Sequence, residues 1–151
     1  MNPSVQDRLD SCVRALEHVI LPALPESASL AREQVMLVMG QIGIIRAQLD
    51  ATPAFEAEEA SDLAAMADAL VRSVPQQADP LRNVLTEVEG QIPRERTAAI
   101  QTAIDQFLVD MERSGGVSPA VKAVVCDHGL KRAEKDRAWF AAMGFDAALA
   151  E

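Results

Sequence analysis

Apolar residues recur every three or four positions along most of the chain, and the runs they form begin at prolines that follow a capping residue. Asn2-Pro3, Thr52-Pro53, Asp79-Pro80 and Ser118-Pro119 each offer a side-chain acceptor before a proline. At the first helical position the missing proline N–H costs nothing and its fixed φ favours the helix. This punctuation and periodicity commit the chain to amphipathic helices.

The first helix is expected over about 3–21, with Val5, Leu9, Cys12, Val13, Leu16 and Ile20 on one stripe, before Pro22 and Pro25 end it. A second is expected over about 28–49. Its centre, Val35 to Ile45, is apolar on most sides, so it is expected to be the most buried helix. A third covers about 53–73, with Glu56, Glu58, Glu59 and Asp62 near its start, where the helix dipole favours negative charge. Helical pattern resumes after Asp79, is interrupted at Gly90 and Pro93, and continues to Arg113; one kinked helix and two helices both fit. Ser114-Gly115-Gly116 is a stop. Two shorter helices follow, about 119–128 and 130–143, closed by Gly129 and Gly144. The expected fold is all-α: a single domain over 1–151, an up-down bundle of four to five long helices plus two shorter C-terminal ones.

Composition limits function. The 151 residues carry a net charge of −9, which disfavours the phosphate backbone of nucleic acids and anionic membranes. No apolar run approaches the roughly 18 residues of a membrane span. Cys12 and Cys126 belong to no C-x-x-C pair and are expected as reduced, buried thiols of a cytoplasmic protein. The cluster Lys131, Arg132, Lys135 and Arg137, interleaved with Glu134 and Asp136, reads as a solvated helix face with local ion pairs.

Signatures of chemistry are missing. There is no glycine-rich phosphate loop, nucleophile elbow or H-E-x-x-H. Neither His18 nor His128 has the Glu three residues earlier that a di-iron bundle requires, so neither cofactor nor metal is expected. Cys126-Asp127-His128 groups reactive types, but adjacent helix positions do not face each other. His128-Gly129-Leu130-Lys131 has the H-x-x-K spacing of histidine phosphotransfer bundles; Gly129, read as a helix terminator, argues against that role.

Arg14-Ala15-Leu16-Glu17-His18-Val19-Ile20-Leu21-Pro22-Ala23-Leu24, followed by Leu30-Ala31-Arg32-Glu33-Gln34-Val35, resembles the opening of a family of small bacterial helical proteins encoded near acyl-CoA dehydrogenases and aminoglycoside-phosphotransferase-like kinases. The resemblance extends to about Arg72. It implies an accessory role in acyl-CoA or small-carboxylate metabolism and transfers no functional residue.

Two functional readings follow. The first is a non-catalytic interaction module that self-associates as a dimer, with Trp139, Phe140, Met143 and Phe145 as the interface. The second is a binder of an apolar, acyl-chain-like small molecule in a pocket lined by Met36, Met39, Gly40, Gly43, Met66 and Met111.

Overall fold

A computed structural model describes residues 2–141. The described residues are all-helical, with no strand among them. Helix α1 is continuous but changes register: an α-helical segment Val5–Ala15, a π-helical turn Leu16–Ile20 and a last turn Leu21–Ala23. It is followed by α2 (Ser29–Gln48), α3 (Thr52–Ser73), α4 (Asp79–Glu87), α5 (Pro93–Arg113) and α6 (Pro119–Trp139). They fall into two compact units. Of the described residues, one unit comprises those up to Asp50 with 139–141, the other Ala51–Ala138.

In the first unit, α1 opens at Ser4 rather than at Asn2. Ser4 Oγ accepts from the Asp7 backbone N–H at 3.1 Å, and the Asp7 carboxylate accepts from the Ser4 N–H at 2.9 Å. This reciprocal capping box satisfies donors at the helix start. The Ser4 hydrogen bonds hold the Asp7 carboxyl below its ordinary pKa. The π turn has a local cause. Pro22 cannot donate to the carbonyl four residues back and its ring crowds it, so the register slips and the Leu21 N–H reaches Leu16 C=O instead. Arg32 of α2 then donates to the Leu21 and Leu24 carbonyls at 3.0 and 3.1 Å, capping the frayed end of α1. Asp10 and Arg46 pair across the hairpin at 2.8 Å. Leu9, Val13 and Leu16 of α1 and Val35, Met39 and Ile42 of α2 are half-buried.

No residue of α1 or α2 is buried. This corrects the expectation for the second helix: Met36, Leu37, Val38 and Ile45 are 55%, 53%, 46% and 48% exposed. Hydrophobicity all round a helix states a demand for cover, and the α1–α2 hairpin meets it on one side only.

The buried core lies in the second unit. Leu63, Met66, Ala67 and Leu70 of α3 meet Leu81 of α4, Ile100, Ile104, Phe107 and Met111 of α5, and Val121 of α6. The i, i+4, i+7, i+11 spacing of the α5 residues puts them on one face. Gly90, at φ +85°, turns the chain between α4 and α5, so 79–113 holds two helices. Gly116, at φ +98°, donates its N–H to Met111 C=O at 3.1 Å and closes α5.

At the proline-led starts, Ser118 caps α6 by accepting from the Val121 N–H at 3.3 Å, as expected. Thr52 and Asp79 are instead the first helical residues, after Ala51 and Ala78. The two short C-terminal helices are corrected to one. α6 runs through Gly129, because a glycine flanked by helix formers costs only about 1 kcal/mol and stops nothing by itself. The expected closure at Gly144 lies outside the described residues.

Two stability changes are expected in chemical denaturation. Leu70→Ala, at a fully buried site, lowers stability by about 2–5 kcal/mol. Gly129→Ala raises it by about 0.4–1 kcal/mol, since a Cβ there meets no atom within 4 Å and the helix interior favours Ala.

Candidate functional site

The polar feature of the second unit is a groove of about 660 Å³ between α3, α5 and α6. α3 supplies Leu63, Ala65, Met66 and Ala69 as a largely apolar wall. α5 adds Thr97 and Gln101, and α6 adds Val124, His128 and Gly129. α6 contributes one fully buried side chain, Val121, with Val124 and Val125 packed partly against the core. Beyond them it is polar.

Ion pairs hold the polar half. Arg132 meets the Glu59 carboxylate and also Asp136 at 2.8 Å. Lys135 reaches Asp62 at 2.8 Å and Glu58 at 3.2 Å, and its ammonium lies 5.5 Å from the centre of the Phe55 ring. Burial opposes the charge on Lys135, but the hydrogen bonds and charges of Asp62 and Glu58 outweigh it, so its pKa is raised. Lys131 pairs one turn back with Asp127 at 2.7 Å. The basic cluster of α6 therefore makes local pairs, as expected, and also engages the acid-rich start of α3, whose charge the helix dipole alone does not account for. The signal was present as two complementary charge blocks, 56–62 and 131–137.

Among the residues lining the groove, each of the four acids, Glu59, Asp62, Asp127 and Asp136, has a basic partner. Arg72 and His128 line it with no acidic partner among the described residues.

The six residues expected to share a pocket are divided. Met36, Met39, Gly40 and Gly43 lie on α2 in the first unit; Met66 and Met111 lie in the second. Among the described residues a Cβ at Gly40 or Gly43 meets nothing within 4 Å, so neither glycine serves a close contact inside the α1–α2 hairpin. Met66 lines the groove just described. Met111 lines a separate one of about 650 Å³ along α4 and α5, with Val84, Ala103 and Phe107. Trp139 is half-buried, and its carbonyl accepts from Gln48 Nε2 at 3.0 Å. Phe140 is 43% exposed, while Met143 and Phe145 lie outside the described residues.

Cys12 and Cys126 are free and exposed, correcting the expectation of buried thiols. His128 stands in mid-helix, half-buried, so the terminator argument from Gly129 does not hold; Lys131 turns to Asp127 rather than standing free beside the imidazole. Among the described residues there is no cluster of three metal-ligating side chains, and no helix is long and apolar enough to cross a membrane. No protein-family model, curated protein or solved structure matches the chain.

Neutralising Lys135 by Lys135→Gln is expected to lower stability by at most about 1 kcal/mol in low salt, and by nothing measurable in 1 M NaCl. Because its pKa is raised in the folded protein, the contribution is complete below the unfolded value near 10.4 and disappears as pH rises through the folded value. Denaturation of wild type and variant across salt and pH checks both.

Proposed function

We propose that the chain is a non-catalytic, self-associating helical module in which the outer face of α2 is covered by α2 of a second copy. The observation that carries this is the exposure of a helix whose residues 34–45 include no charged side chain. A surface helix ordinarily turns a charged face to water. Here Leu37, Val38 and Ile45 face outward with Gln41 among them, and Met36, Gly40, Gly43 and Ala47 form a neighbouring row at i, i+4, i+7 and i+11.

A second copy is the occupant that fits best. The face is uncharged, so it carries no electrostatic pattern with which to select a different partner, whereas an apolar face is complementary to itself about a two-fold axis. Two helical hairpins joined in this way make a four-helix arrangement and supply the enclosure that one hairpin lacks. The Gly40 and Gly43 row lets a partner backbone approach closely. Self-association thus rests on α2 rather than on the C-terminal aromatic residues.

Light scattering on the full chain is expected to give about 32 kDa at tens of micromolar, twice the chain mass of 16.2 kDa. Leu37→Glu and Ile45→Glu are each expected to give the monomer mass at the same concentration with helicity retained by circular dichroism. A strict monomer for the wild-type chain contradicts the proposal.

A further inference from the structure

The groove between α3, α5 and α6 lies in the second unit and owes nothing to the face of α2. We infer that it binds a small amphipathic anion, with Arg72 and His128 taking the oxyanion and Met66, Ala69 and Val124 taking the apolar body.

Its volume of about 660 Å³ is within the range of small-molecule sites, about 300–1,000 Å³. The space has a sequence cause. α3 presents Ala65 and Ala69 to it and α6 presents Gly129, small residues that leave room on both walls, and a Cβ at Gly129 meets nothing within 4 Å. The ion pairs of Arg132 with Glu59 and of Lys135 with Asp62 close one end and keep α6 beside α3 without filling the gap.

The unengaged donors select the ligand. Lys131, Arg132 and Lys135 serve Glu59, Asp62, Asp127 and Asp136, Arg132 taking two of them, so with Arg72 the lining is formally neutral; what remains unengaged is the Arg72 guanidinium, a permanent cation with five donors and no hydrogen bond or acid partner among the described residues. Arg72 sits in the last turn of α3, where its charge suits the helix dipole, but that uses none of its donors. His128 adds an imidazole that is also without a partner. Unengaged guanidinium donors beside a largely apolar wall suit a ligand with an oxyanion at one end. A carboxylate and a phosphate monoester share the required chemistry.

The test is titration of the isotopically labelled full chain with octanoate, octyl phosphate and octan-1-ol, read by amide chemical shifts. Both anions are expected to shift Ala69, Val124 and Gly129, and octan-1-ol to bind about tenfold more weakly, as loss of a charge-assisted hydrogen bond implies. Arg72→Gln, a surface change, is expected to weaken the anions about tenfold and leave octan-1-ol unaffected. Ala69→Phe, which fills the gap, is expected to abolish binding of all three. The tighter of the two anions assigns carboxylate or phosphate as the natural head group. Absence of shifts at millimolar anion, shifts confined to α2 or to the α4–α5 groove, or equal anion affinity in Arg72→Gln overturns the inference.

Discussion

A side chain is buried only when neighbours surround it, and two helices lying together can cover each other along one strip. That geometric limit separates the two units of this protein. Four helices in Ala51–Ala138 enclose Leu70, Leu81, Ile100, Ile104 and Val121 almost completely. The α1–α2 hairpin encloses nothing, although α2 is the most continuously apolar segment of the chain. Its cohesion comes from a half-buried seam, the Asp10–Arg46 pair and the Arg32 cap on the end of α1. An apolar helix that its hairpin partner covers on one side calls for further cover, and the self-association proposed here answers that demand.

The second unit shows how a helix can be held without much hydrophobic burial. α6 is anchored at its start by Val121 and along its polar half by charge pairs to α3. Each exposed pair is worth little alone. Together they fix the position of a helix whose small residues leave a groove beneath it. The stability of this arrangement rests on the Leu70 and Ile104 core; the ion pairs decide where α6 lies and which charges remain unmatched.

Helix class and most helix extents were legible in the sequence because three-four periodicity is a local signal. Boundaries were less so. Ser4-x-x-Asp7 is a stronger start than Asn2-Pro3, since it makes two reciprocal hydrogen bonds. Gly129 looked like a stop, yet no residue around it takes a left-handed conformation and the helix passes through. The burial of residues 35–45 could not be read from their own composition, because burial is decided by how many other elements surround a helix. The same is true of the site. Met66 was singled out and does line the groove, but Arg72 was not, and Glu59 and Lys135 read in the sequence only as a helix-start acid and a base on a solvated face, since their significance lies in which groups the fold leaves engaged and unengaged. Complementary acidic and basic blocks more than 70 residues apart were the available clue.

The dependence of α2 on a second copy is tested most directly by amide hydrogen exchange of residues 35–45 as a function of protein concentration. If a partner completes the enclosure, protection of Val35–Ile45 rises with concentration while that of Leu63–Leu70 stays constant. Protection of residues 35–45 that is the same from nanomolar to high micromolar concentration contradicts the account.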